Sequence, residues 1–332
     1  MSRSLSLLLL CAATAPWPCC AADPRAPNIL THEEKLAGWV LLFDGRTMNG
    51  LDDPRLKTPP GEAWTIEGGC LKAQANPHIT EDLFTQEKFR DFELVFDWRI
   101  SPGGNSGLKY RIQEHLFVAQ HEGNGEGETF EQSVERSFVN RIHARPAKGQ
   151  DYVIGFEYQM TDDTKNGDAK GNRKHTAGAL YDMVAPSAQP ARPVGEFNQS
   201  RILVRGNHVE HWLNGVKVVD SALDAPEALQ GMHKRWGVAP HVYKLLATQP
   251  KKDCPISLQN HGDEAWFRNI KIRRLASTRA SFHPRRDSAF SILRFPMKHQ
   301  GQTTSDTTSM VAGPPLMTPT PGSPCQTMPS AS

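Results

Sequence analysis

No stretch of this 332-residue chain approaches the roughly 20 uninterrupted apolar residues that a membrane-spanning helix requires. No CxxC pair or His/Cys cluster offers the ligand spacing of a zinc site. A Ser-His-Asp elbow is missing, and no glycine-rich loop opens a helix as phosphate binding requires. Charge of one sign is lacking too: 38 Lys and Arg stand against 36 Asp and Glu, a formal net charge of +2. Without a basic field, nucleic acid is not an expected partner.

Cysteine is scarce. Of six residues, Cys11, Cys19 and Cys20 fall near the start and Cys325 near the end, leaving Cys70 and Cys254 in the patterned region. An exported chain permits a Cys70–Cys254 disulfide. Two buried free thiols are an equal alternative, because sequence does not supply the geometry of a bridge.

The ends differ from the middle. Met1–Ala22 carries Arg3, the apolar run Leu5–Ala15 and small residues up to Ala21-Ala22. This is the pattern of a secretory signal peptide cleaved after Ala22. The early cysteines raise lipid anchoring as an alternative. It ranks second, since Leu10, Pro18 and Cys19 stand where a small residue is expected before a lipidated cysteine. The expectation is an exported protein, periplasmic or extracellular. Residues 23–37 read as a Pro-containing linker. In 276–332, Ser, Thr, Pro and Gly dominate without periodicity, so this tail is expected to be disordered.

What lies between is β-patterned. Phe92–Ile100 alternates Phe92, Leu94, Phe96, Trp98 and Ile100 with Glu93, Val95, Asp97 and Arg99, the period of a strand with one buried face. SPGGNSG (101–107) supplies turn residues, and Leu108–Ile112 resumes the alternation, so the pair reads as a hairpin. Its polar faces would then align Asp97, Arg99, Lys109 and Arg111. Further strands are expected at Gly38–Asp44, Trp64–Ile66, Cys70–Lys72, Tyr152–Thr161, Ala177–Asp182, Ser200–Arg205, His208–Leu213, Val216–Asp220, Pro255–Asn260 and Ala265–Leu275. Asn214-Gly215 is the strongest hairpin signal, and Gly68-Gly69 marks another. Short helices are expected within Thr129–Arg141 and Ala222–Lys234. The fold class is therefore all-β: two stacked antiparallel sheets, a sandwich or jelly roll, in one domain over 38–275.

Four of these strands have unusual polar content: Asp97/Arg99, Lys109/Arg111, Glu157/Gln159 and Ser257/Gln259/His261. A shared network on one sheet face is the functional interpretation; structural ion pairing is the plain one. His261, at a strand end, is a candidate for acid–base work. Gln113–Lys148 is a long polar insertion. Asp162–Arg173 partly matches a calcium loop through Asp162, Asn166 and Gly167. Thr164 and Arg173 occupy the third and twelfth positions, so a flexible polar loop describes it better.

Seven motifs in order, GWVLLFDG (38–45), DFELVFDWRISPGGNSGLKYRI (91–112), GFEYQMTDD (155–163), AGALYDM (177–183), GEFNQSRILVRGNHVEHWLNG (195–215), ISLQNHG (256–262) and WFRNIKIR (266–273), together resemble the 3-keto-disaccharide hydrolase domain family. The resemblance implies a concanavalin-A-like lectin/glucanase sandwich and an exported enzyme acting on a glycoside, small or oligosaccharide, already oxidised at C3. A C3 ketone acidifies the C2 proton, so the glycosidic bond can break by elimination followed by hydration. Such chemistry needs a base near C2, donors at the ketone oxygen and an acid at the leaving oxygen. On this basis Glu157 is expected as base, Arg99 and Arg111 as enolate stabilisers, and His261 as acid. Asn105, Lys109, Gln159, Asp162, Tyr181, Asn198 and Gln259 are expected to hold substrate hydroxyls. An Arg beside Glu157 would lower its pKa and weaken it as a base unless burial offset the effect. No cofactor or metal site is expected, although a divalent ion such as calcium is not excluded; the sequence does not define the oligomeric state. The competing function is a non-catalytic carbohydrate-binding module on the same sandwich. Two-carboxylate hydrolysis ranks third, because no strand carries an ExDxxE arrangement.

Overall fold

A computed structural model describes residues 27–52, 61–119, 127–141, 148–248 and 250–276. The leader with its three cysteines, residues 123–126 of the glycine-bearing insertion and the tail from 277 onward, with Cys325, lie outside the described residues.

The strands are β1 (Val40–Leu41), β2 (Leu51–Asp52), β3 (Trp64–Glu67), β4 (Cys70–Ala73), β5 (Ile79–Thr80), β6 (Leu83–Thr85), β7 (Phe92–Ile100), β8 (Asn105–Ala119), β9 (Gly149–Thr161), β10 (Asn198–Arg205), β11 (His208–Leu213), β12 (Val216–Ala222), β13 (Ser257–Leu258) and β14 (Ala265–Arg274). The helices are α1 (His32–Leu36), α2 (Phe130–Val139), α3 (Pro226–Trp236) and α4 (Pro240–Ala247). One sheet runs β12-β11-β10-β7-β14-β4-β3, with β1 against β14; the other runs β2-β6-β13-β8-β9-β5. All pairs are antiparallel except β5 with β9. The fold is the expected two-sheet sandwich.

β7 and β8 do not form the expected hairpin. Trp98 pairs with Asn198 and Phe267 in the first sheet, whereas Asn105 pairs with Thr161 in the second. Ser101–Gly104 is an arch over the sandwich edge. Four residues reach about 13 Å when extended, enough to span the roughly 10 Å between stacked sheets. The turns read from glycine and asparagine hold: Gly68 and Gly69 between β3 and β4, and Asn214 and Gly215 between β11 and β12, all have positive φ. Only Val40–Leu41 of Gly38–Asp44 is a strand, and Ala177–Asp182 is reduced to turns around an isolated bridge at Leu180, which pairs with Tyr158 of β9. The linker contains α1, started by a capping box between Thr31 and Glu34. Cys70 and Cys254 are free, buried thiols.

The core is aromatic and its few polar atoms are matched. Tyr110 lies edge-on to Phe92 and against Phe156, and Phe96 is edge-on to Tyr158. Ser200 Oγ accepts from Trp98 Nε1 at 2.8 Å and lies 2.7 Å from the Tyr158 hydroxyl. His211, fully buried, has Nδ1 3.0 Å from the Gly178 carbonyl and Nε2 2.9 Å from the Tyr110 hydroxyl. Those partners suit a neutral ring that donates from Nδ1 and accepts at Nε2. Burial pushes its pKa down to about 4. The unfolded chain then binds a proton between pH 6.5 and 4 that the folded chain refuses, so stability is full above pH 6.5 and falls as pH drops towards 4. The loss is on the order of 3 kcal/mol. Urea midpoints should decline from pH 7 to pH 5, and His211→Gln should flatten that decline; an equal slope in the variant would refute the assignment.

Candidate active site

On β13, β8 and β9 of the second sheet, two adjacent cross-strand rows carry polar side chains. Ser257, Lys109 and Glu157 form one row. Gln259, Gly107 and Gln159 form the next, with Asn105 and Thr161 beyond. The alternate residues Leu108, Tyr110, Phe156, Tyr158 and Met160 belong to the core. The period of two in β8 and β9 therefore places the polar rows on the face turned away from the other sheet.

Lys109 is at the centre of the first row. Its side chain is 2% exposed, and Nζ stands 3.7 Å from Asp82 Oδ2, 4.0 Å from Glu157 Oε2 and 5.0 Å from the centre of the Tyr152 ring. None of these is a hydrogen bond, and Nζ has no hydrogen-bond partner. Asp82, just before β6, accepts from Ser257 Oγ at 2.9 Å. Two carboxyl groups thus share one ammonium in a dry setting. Burial works against the Lys109 ammonium, but Asp82 and Glu157 outweigh it and hold its pKa above the ordinary lysine value. Burial raises the pKa of Asp82 and of Glu157; Lys109, joined at Glu157 by Arg235, only partly counters this. Glu157 remains 13% exposed, so solvent or a ligand can reach it.

A second layer stands beside this row. The Tyr181 backbone donates to the Glu157 carbonyl. The Tyr181 ring stacks on His175 at 4.4 Å, and its hydroxyl donates to Asp168 at 2.8 Å. Arg235, at the end of α3, places its guanidinium 4.7 Å from the Tyr181 ring centre, 3.1 Å from Asp182 and 3.3 Å from the Tyr152 hydroxyl. His175 is held between Asp168 at 2.8 Å and Asp182 at 2.6 Å. Burial opposes its charge, yet the two hydrogen-bonded carboxylates raise its pKa to about 9. This imidazolium pins the 162–182 loop beside the site.

The polar rows contain unmet hydrogen-bonding capacity. Asn105 Oδ1, Gln159 Oε1 and Gln259 Oε1 are buried and have no partner, like Lys109 Nζ. Buried polar atoms are rarely left unmatched unless water or a ligand completes them. Three acceptors and one cationic donor on one face suit a molecule with several hydroxyls and an electron-rich oxygen. His261 as a whole residue is exposed at the rim, but protein atoms crowd its ring; that desolvation first, and the Lys109 charge second, lower its pKa. It is therefore mostly neutral near pH 7.

Of the residues singled out in the sequence, Glu157, Lys109, Gln159, Gln259, Asn105, Tyr181 and His261 gather here. Arg99, Arg111, Asp162 and Asn198 do not. Arg99 is on β7, in the other sheet, with its guanidinium 4.3 Å from the Trp266 ring centre and 5.2 Å from that of Phe197. Arg111 has φ 52° in a β8 bulge, which breaks the alternation after Tyr110. Its guanidinium donates to the Lys252 and Gly206 carbonyls at 2.7 Å. Asp162 accepts from the backbone of Gly103, Thr164 and Lys165 and from the Thr164 hydroxyl, so its oxygens close a turn. Asn198 accepts from Arg192 and Asn214 beside β10. Neither periodicity nor motif spacing singles out Asp82, Tyr152 or Arg235. Asp82 and Arg235 come from segments remote in sequence from Glu157, and the helix expected at Ala222–Lys234 stops one residue before Arg235; Tyr152 lies five residues before Glu157 on the same strand, β9.

Among the described residues, His208, Glu210 and Asp220 bring ligand atoms close enough for a metal ion. They lie on β11 and β12 of the other sheet, where the Lys217 ammonium already contacts Glu210 and Asp220. No helix among the described residues is long and apolar enough to cross a membrane.

Comparison with known proteins finds a family for the chain. The model for the 3-keto-alpha-glucoside-1,2-lyase-like domain matches residues 38–273. A 3-keto-disaccharide hydrolase of Bacteroides thetaiotaomicron is 31% identical over 251 residues, covering 71% of this chain and 78% of the relative. A crystal structure of a candidate glycosyl hydrolase from Parabacteroides distasonis superposes with a TM-score of 0.56 at 25% identity, over 76% of this chain and 100% of that one.

Proposed function

Because the chain belongs to the 3-keto-alpha-glucoside-1,2-lyase-like family of carbohydrate-cleaving proteins, we propose that it cleaves glycosides whose sugar carries a C3 ketone, by elimination across C1–C2 and then hydration. The observation that carries this reading is the partly exposed Glu157 carboxyl with a raised pKa, 4.0 Å from the unpartnered Lys109 ammonium.

In this reading Glu157 takes the C2 proton. Its raised pKa brings it nearer to working pH, where a base is both available and strong enough. Electrons from the C2–H bond pass into an enolate, and Lys109 meets the charge growing on the C3 oxygen. Collapse of the enolate forms the C1–C2 double bond and expels the aglycone oxygen from C1, which leaves as an alcohol after taking a proton. Water then adds at C1 and a proton returns to C2, so one water is consumed and a 3-keto sugar is released. Asn105, Gln159 and Gln259 accept from sugar hydroxyls. His261 would meet the leaving group as a neutral hydrogen-bond partner rather than a standing acid, a role its lowered pKa supports. The Met1–Ala22 pattern supports placing the enzyme outside the cytoplasm.

Matched disaccharides with and without a C3 ketone, each assayed with EDTA and with added calcium, test the proposal. Cleavage of the keto form alone, with transient absorbance of the unsaturated ketone and solvent deuterium at C2 of the product, is expected. Binding of both without cleavage would favour a lectin-like module, and cleavage of the unoxidised disaccharide would favour ordinary glycoside hydrolysis.

A further inference from the structure

A glycine in the middle of a strand is costly, and it commonly marks a close approach by another group. Gly107 is such a residue: it lies in β8 between Gln159 on β9 and the backbone N–H of Gln259. Its φ is not in the left-handed region, so the backbone does not require glycine there. The space above it does. A β-carbon on Gly107 would lie 2.8 Å from Glu157 Cδ and 2.9 Å from Cγ, with Oε1 nearer still. At Gly149 and Gly231, by contrast, an added β-carbon would meet backbone atoms as well. Above Gly107, its three nearest neighbours all belong to one side chain, that of Glu157.

We propose that Gly107 is a positioning residue for Glu157: the absent side chain forms a notch in which the carboxylate lies, one row away from Lys109. This rests on the role given to Glu157 above. The groups acting on the carboxyl are Lys109 on β8, Arg235 on α3, Asp82 before β6 and Asp168 in the 162–182 loop. In the notch the carboxyl stays mostly enclosed and does not close onto Lys109, whose Nζ remains 4.0 Å away without a hydrogen bond. A methyl at position 107 would push the carboxyl either towards Lys109 or towards solvent. Both displacements favour its charged form, and both move it from the site of proton transfer.

The test is Gly107→Ala in the full chain, with Glu157→Gln, Glu157→Asp and Gly107→Ala/Glu157→Asp alongside. Gly107→Ala should fold with an unchanged Tm, keep KM within about twofold and lose about 10–100-fold in kcat, the scale of an ångström misplacement. The acid limb of its pH–rate profile should move to lower pH. In the Glu157→Asp background, where the shorter side chain leaves the notch, Gly107→Ala should cost little more. Wild-type kcat and acid limb in Gly107→Ala, with Glu157→Gln inactive, would overturn the notch alone. Additive losses in the double variant, or failure of Gly107→Ala to fold, would also overturn it by assigning the space to general packing. An active Glu157→Gln would instead remove the premise.

Discussion

Replacing Lys109 by methionine is expected to reduce turnover of a 3-keto-glycoside by about 10²–10³-fold, the range seen when one preorganised donor to a developing oxyanion is lost. Methionine keeps most of the length and apolar stem, so the change isolates the charge. Stability should fall as well. Asp82 is 2% exposed and has Lys109 and Ser257 as its nearby favourable groups. Removing one member of a buried charged pair typically costs roughly 3–5 kcal/mol, because the other charge is stranded. Asp82→Asn combined with Lys109→Met should recover much of the denaturation midpoint while leaving activity low. That separation is the decisive measurement. If the double variant regained turnover with stability, the ammonium would be a packing device and not part of the chemistry.

Glu157→Gln should lower kcat by about 10²–10⁴-fold, the usual contribution of a positioned base, while KM changes little. The substitution is nearly isosteric and removes a carboxyl that burial disfavours, so the thermal midpoint should hold or rise. The wild-type rate should fall as pH drops through the raised Glu157 pKa, since the protonated carboxyl cannot accept the C2 proton. Asp82→Asn should move that fall to lower pH, because Asp82 is among the groups that raise the Glu157 pKa. Near-normal kcat in a folded Glu157→Gln would remove it from the base role. An unmoved acid limb in Asp82→Asn would show that another group sets the profile.

The period of two was the most informative feature of the sequence. It placed Lys109, Glu157, Gln159 and Gln259 on polar faces, and β8, β9 and β13 turned out to be neighbours. It could not tell which strands share a sheet. An arch and a hairpin use the same glycines and proline, so Arg99 was set beside Lys109 although the two occupy opposite sheets. Nor could it anticipate the Arg111 bulge, where one residue at φ 52° ends the alternation of β8. An arginine does act to lower the Glu157 pKa, but it is Arg235 and not Arg99 or Arg111, and it comes after Lys109; burial outweighs both cations. Asp82 and Arg235 escaped notice because no local pattern distinguishes them from other charges near strand or helix ends.

The positions of β13 and β14 bear on the order of events in folding. β13 lies between β6 and β8, and β14 joins β7 to β4. Each sheet is therefore divided until the last strands of the domain arrive, with partners roughly 150–200 residues upstream. Contacts so distant in sequence delay folding, because loop closure precedes the reward of pairing. Until β13 and β14 dock, the strands they join can form only separate sheet fragments, and Lys109 lacks the neighbouring strand that supplies Ser257. Completion of the candidate site and completion of the fold are thus one late step, made by the same short segment.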